Sequence, residues 1–243
     1  MASSTASALG GPGAGAGVPW KEHVLDEVPC AAEDVGDAVT ALLHTILFTR
    51  APGPVRPSEA TCQAFPNVSY SLCAVGDVGR KVDLAVKVFE ESIVAGAAVL
   101  GGPSGVSSFM SASASQPYGG QDGASRAGGS GCLVVTFFER KVKKALFGLM
   151  SNEEKVVFEK WIVPVNVASA ATSTYEREIC AEETEAALQN GLLHILATVQ
   201  TIDHIPNAMY DFEITSFGSL EAAQNESTYS FGLTGSSSVR LMG

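Results

Sequence analysis

With 243 residues, the chain is long enough for one domain with a substantial core, or for two small ones. Its 46 % apolar and 17 % charged residues are a globular balance, and a formal net charge of −11 argues against nucleic-acid or anionic-membrane binding as the main activity. Five cysteines, odd in number and scattered, show neither zinc-knuckle nor redox-motif spacing.

Residues 1–18 are rich in Ala, Ser and Gly, with no basic start and no apolar h-region. They read as a disordered tail and not as a signal peptide. Residues 22–28 form a short strand that Pro29 is expected to close. Over 33–48 the apolar residues Val35, Ala38, Val39, Leu42, Leu43, Ile46 and Leu47 follow helical spacing, which predicts an amphipathic helix. Three prolines make 50–57 a loop, and 67–75 is strand-like, with Val68, Tyr70 and Leu72 on one face.

Asp77 can cap a second helix, along which Val78, Val82, Ala85, Val86, Phe89 and Ile93 form one stripe. Residues 101–131, dominated by Gly, Ser and Ala, read as a disordered insert in a surface loop. A strand over 132–142 follows, and then a second over 156–168. In the second strand Trp161, Val163, Val165 and Val167 share one face, while Lys160, Pro164 and Asn166 share the other. Pro164 has no amide to donate, so that position must face an unpaired edge or a bulge.

The third helix is the longest. It opens on the capping-box pattern Ser173-Thr174-Tyr175-Glu176 and should run to about residue 202, roughly 40 Å at ~1.5 Å per residue. Leu188, Leu192, Leu193, Ile195, Leu196 and Val199 cover well over half its circumference, so its second half is expected to be buried nearly all round. Strands over 210–216 and 228–233 complete the order β-α-β-α-β-β-α-β-β, and a flexible tail occupies 235–243. The pattern predicts an α+β fold, a single domain over 19–234 with helices gathered on one face of a mainly antiparallel sheet.

Chemistry is hard to find in these residues. His44 and His194 lie in apolar helical runs, where lone histidines are core or boundary residues more often than ligands. The glycine-rich runs lack the lysine and strand-to-helix context of a phosphate loop. No catalytic, metal or cofactor residue can be named. The basic run Arg140-Lys141-Val142-Lys143-Lys144 reads more simply as a solvated strand end than as a phosphate site. One connection stands out. Leu146, Phe147, Leu149 and Met150 make the turn between the strands at 132–142 and 156–168 apolar, between basic and acidic flanks. They either fold back onto the core or form an exposed knob that docks a partner.

Three segments resemble a known family. Ala38-Val39-Thr40-Ala41-Leu42-Leu43-His44-Thr45-Ile46-Leu47-Phe48-Thr49-Arg50 is similar to the first helix of the autophagy-related protein 101 family of HORMA-domain adaptors. Phe158-Glu159-Lys160-Trp161-Ile162-Val163-Pro164-Val165-Asn166-Val167 resembles its tryptophan-bearing strand. Tyr175-Glu176-Arg177-Glu178-Ile179-Cys180, running on to His204-Ile205-Pro206, resembles its long central helix. The resemblance covers about 20–100 and 132–216, in the same order.

It implies a HORMA fold, a sheet backed by three helices with a long central one. It also implies a non-enzymatic protein without cofactors. Such a protein pairs with the HORMA domain of autophagy-related protein 13 and stabilises it within the autophagy-initiating kinase complex. With no stretch near the ~20 apolar residues of a membrane span, this reading makes the protein cytoplasmic and recruited to the phagophore assembly site. Many members carry a tryptophan–phenylalanine finger in the connection that here holds Leu146, Phe147, Leu149 and Met150. No tryptophan occupies it in this chain, and Phe147 and Leu149 are the positional counterparts of the aromatic pair. Two other readings compete. One is a peptide-clasping HORMA adaptor of the mitotic-checkpoint or translesion-synthesis kind, and the other an enzyme with a pocket lined by His44 or His194 and a carboxylate.

Overall fold

A computed structural model describes residues 20–51, 55–100, 129–144, 151–168, 171, 173–203 and 209–229. The tails expected at 1–18 and 235–243, and most of the expected insert at 101–131, lie outside these. The last two insert residues, Ser130 and Gly131, open a strand instead.

In chain order the elements are β1 (Lys21–Val24), β2 (Val28–Cys30), α1 (Val35–Thr49), β3 (Ser58–Thr61), β4 (Ser69–Leu72) and α2 (Val78–Leu100). Then follow β5 (Ser130–Lys144), β6 (Ser151–Val167), α3 (Thr174–Val199), β7 (Tyr210–Phe217) and α4 (Leu220–Tyr229). The main sheet runs β1-β6-β5-β7, with β2 also paired to β6; β3 and β4 form a separate hairpin. The β5–β6 and β5–β7 pairs are antiparallel, whereas β1 and β2 both run parallel to β6. The fold is thus the expected α+β arrangement of HORMA-like type, a mainly antiparallel sheet backed by three helices, of which α3 is the longest.

Three expectations need correction. The strand at 22–28 is two strands, β1 and β2, and Pro29 lies inside the second instead of closing the first. The proline is tolerated because β2 pairs on one side only. The Cys30 carbonyl accepts from Ala168 N–H on the β6 side, so the Pro29 nitrogen and carbonyl point the other way. Pro164 sits opposite the gap between the two strands. Leu25 N–H donates to the Ile162 carbonyl, so Pro164 also faces that edge, where β1 has ended and β2 has not begun. The unpaired edge expected for Pro164 is this gap.

The second correction is at the C-terminal side. Where a strand at 228–233 is expected, Thr228 and Tyr229 end helix α4, and the rest lies outside the described residues. The third concerns β3, which is absent from the expected order; Ser58-Glu59-Ala60-Thr61 carries no apolar alternation to reveal it.

The larger core lies between the sheet and helices α1, α2 and α3. It includes Leu133, Val135, Phe137, Trp161, Val163 and Val165 from the inner sheet face. A break in register at Phe137/Phe138 leaves Phe158 of β6 without an opposite residue. The bulge turns Phe158 inward, where its ring meets Tyr210 edge-on at 5.3 Å. Helix α1 is buried nearly all round, including Leu42, Leu43 and His44. A smaller cluster, Cys132, Val134, Ile162 and Ala223, joins α4 to the opposite sheet face.

Candidate partner-binding surface

Helix α3 begins as its sequence predicts. Ser173 is the N-cap, and its hydroxyl accepts the Glu176 amide at 3.2 Å. Its inner side packs on α1 and β2: Leu188 and Ile195 are fully buried, and a Cβ added to Gly191 would lie 3.1 Å from Leu42. Thr184 ties it to β2 by donating to the Pro29 carbonyl at 2.8 Å.

The outer side of its second half is not buried. Leu193 is 64 % exposed and Leu196 46 %, with Leu192 half-buried beside them. This overturns the expectation of an all-round burial. The physical reason is that α1 takes the central position and covers only one side of α3. The signal was present in the sequence: apolar residues spread over more of the helix than one packing face can cover.

Between Leu192 and Leu196 on one side and the β3–β4 hairpin on the other runs an open groove of about 500 Å³. Thr45 and Phe48 of α1, Ser58 of β3, Tyr70 of β4, and Leu192 and Leu196 of α3 line it. Neither His44 nor His194 is among its lining residues, and the carboxylate there is Glu59. His44 lies instead under the hairpin, 4 % exposed, with its ring stacked on Tyr70 at 6.1 Å. Burial pulls its pKa below the ordinary value, against a smaller opposing pull from Asp83, so it is a neutral core histidine. His194 is half-exposed on α3.

Behind the groove a buried ion pair fixes the end of α1. Arg50 donates through Nε and Nη2 to the two oxygens of Glu159, at 2.9 and 2.6 Å. Trp161 Nε1 donates to the same carboxylate at 2.6 Å, and the Tyr210 hydroxyl donates to the Arg50 carbonyl.

The sequence-predicted site residues Leu146, Phe147, Leu149 and Met150 lie outside the described residues. The ladder leading to them is described up to Lys144 opposite Ser151. Beneath it the described cations have acidic neighbours. Arg140 donates to Asp211 at 2.9 Å, Lys141 lies 3.4 Å from Glu139, and Lys155 pairs with Glu213. Burial alone would raise the Asp211 carboxyl. The hydrogen bonds from Arg140 and the Phe212 amide, with Lys81 nearby, outweigh it and hold the pKa below the ordinary value. Among the described residues no group of three or more His, Cys, Asp and Glu could hold a metal ion, and all five cysteines are free. No described helix is long and apolar enough to cross a membrane.

Residues 27–211 match the family profile described as autophagy-related protein 101. The chain belongs to the autophagy-related protein 101 family. Two members similar to it are the autophagy-related protein 101 of Xenopus tropicalis and that of Xenopus laevis. Each is 26 % identical over 193 residues, covering 77 % of this chain and 76 % of the relative. The matched span in this member of the autophagy-related protein 101 family runs from Glu27, just before β2, to Asp211 in β7, and so takes in α1, α3 and the groove between them.

Proposed function

We propose that this protein is a non-catalytic adaptor in autophagy initiation. It pairs with the HORMA domain of autophagy-related protein 13, stabilises it within the initiating kinase complex, and acts in the cytoplasm at the phagophore assembly site. The observation that carries the reading is the pair of solvent-facing leucines on α3, inside the span that matches the family. Among the described residues neither Leu193 nor Leu196 belongs to the buried core, and with the groove that Leu196 lines they offer an apolar surface to a partner. Recruitment of downstream factors falls in this reading to Leu146, Phe147, Leu149 and Met150.

The test is purification of the tagged protein from its own cells with identification of what accompanies it. A HORMA-domain partner and the initiating kinase are the expected companions, and their joint absence would overturn the assignment. Replacing Phe147 and Leu149 by Ser is expected to reduce recruitment of further factors while the HORMA partner stays bound. Loss of the HORMA partner in that variant would show that the connection serves pairing instead.

A further inference from the structure

Helix α4 lies on the face of the sheet opposite the other three described helices, and few of its described side chains are buried there. Among its described side chains, at 220–225, only Ala223 is buried, whereas Leu220 is exposed. A ten-residue helix is marginal in water by itself, and Asn225, Ser227, Thr228 and Tyr229 are weak helix formers. Polar contacts at Ser219 cap its start and tie it to β5. The Ser219 hydroxyl accepts the Ala222 amide at 3.1 Å, and the Cys132 thiol donates to the Ser219 carbonyl at 3.3 Å. Gly218, with open space where a Cβ would sit, joins the helix to β7.

The surface beneath is made differently. Cys132, Val134 and Ile162 belong to β5 and β6, and the ladders that hold them run β1-β6-β5-β7 without any contribution from α4. Lifting the helix therefore breaks no strand pairing. A segment with few buried apolar contacts belongs to the low end of local stability, whatever the stability of the whole.

We propose that α4 is a detachable cover. It swings away about Gly218 while β7 and the helix-backed core stay folded, and it bares an apolar strip of Val134, Ile162 and Phe217 with the Cys132 thiol at its edge. This does not depend on the adaptor reading, since the groove at α3 lies on the other side of the sheet.

Cys132 makes the motion measurable, because in the closed state its thiol is fully buried against Ser219. The experiment is timed labelling of the native full-length chain with N-ethylmaleimide, read cysteine by cysteine by mass spectrometry. Burial pushes the Cys132 thiol up to about 11 and that of Cys30 up to about 12, so neither reacts until its cover opens. Half-exposed Cys180 should label first, then Cys132, well ahead of Cys30 and Cys73 in the helix-backed core. Labelling of Cys132 in step with Cys30 and Cys73 would overturn the proposal, because opening would then require unfolding of the whole domain. In Ala223→Lys, which sets a further ammonium beside Lys155 and Lys160 and against the strip, Cys132 should label roughly tenfold faster or more, with Cys30 unchanged. Equal acceleration at Cys30, or none at Cys132, would show that α4 is an integral part of the fold.

Discussion

Glu159 is 2 % exposed, and its carboxylate is held by both arms of the Arg50 guanidinium and by the Trp161 indole. The pair joins residues 109 apart in sequence, the C-terminal cap of α1 and the centre of β6. Two charges in a core cost much of what their attraction returns, so the pair matters more when it is broken than when it is whole. Glu159→Ala should lower stability in chemical denaturation by about 3–5 kcal/mol, because it strands the buried guanidinium. Replacing both residues by Met should recover most of that loss. If the double variant is no more stable than the single one, the cost lies in packing and not in the orphaned charge. A second residue-scale effect belongs to His44. Its folded pKa is depressed by burial below the 6.5 of the exposed imidazole, so the unfolded chain takes up the proton first. The stability that depends on neutral His44 is fully present above pH 6.5 and is lost as the pH falls through that value toward the folded pKa. His23 on β1 is shifted the same way, chiefly by burial, and adds to the slope. Unfolding free energies measured between about pH 7 and 5 should therefore fall, and His44→Leu should flatten the slope without removing it. An unchanged slope would place its origin elsewhere.

Helices α1 and α2 were legible in the sequence because apolar residues recur at helical spacing in each, although α1 is buried nearly all round and not along one face only. Of the stripe on α2 (Val78, Val82, Ala85, Val86, Phe89, Ile93) the structure buries every residue except Ala85, which is half-buried. The Ser173 cap and the β5–β6 ladder were legible for the same reason, that local chemistry and fold agree there. What escaped was set by neighbours far away in sequence. Nothing local distinguishes one strand at 22–28 from two, since the break is made by Pro164 on β6. The outward turn of Leu193 and Leu196 follows from where α1 sits: the apolar spread on α3 is too wide for one packing face, but it does not tell which side is left open. The meeting of α2 with β5 is another contact of this kind. A Cβ on Gly131 would lie 2.9 Å from the Phe89 ring and 3.1 Å from the Phe217 carbonyl. Phe89 is fully buried and the carbonyl belongs to the β7 backbone, so neither can yield easily. Gly131→Ala should cost about 1–3 kcal/mol in thermal or chemical unfolding. In the Phe89→Leu background, with the ring gone, most of that cost should disappear. Should it persist there undiminished, the strain would come from the β7 side alone.

In the whole molecule the helix side of the sheet has a definite inside and outside. Helix α1 is spent on the core, so α3 presents the outer apolar surface of that side, with Leu193 and Leu196 turned to solvent. Two consequences separate a binding surface from a poorly packed one. Leu193 and Leu196 are not among the buried core residues, so Leu193→Asp with Leu196→Asp should lower the unfolding free energy of the isolated protein by only about 1–2 kcal/mol, from weaker helix propensity, carboxylates near the helix C-terminus and the covered part of Leu196. A partner that binds only the folded state, by contrast, must raise its stability by mass action. At a free concentration of about a hundred times Kd, the HORMA domain of autophagy-related protein 13 should add about 2.7 kcal/mol to the wild type. The same addition should do nothing for the double aspartate variant, in which two carboxylates would have to be desolvated against the partner. Thermal unfolding of both proteins, with and without the partner domain, gives the four numbers. A double variant that is several kcal/mol less stable alone would return these leucines to the core, and one that the partner still stabilises would move the interface away from α3.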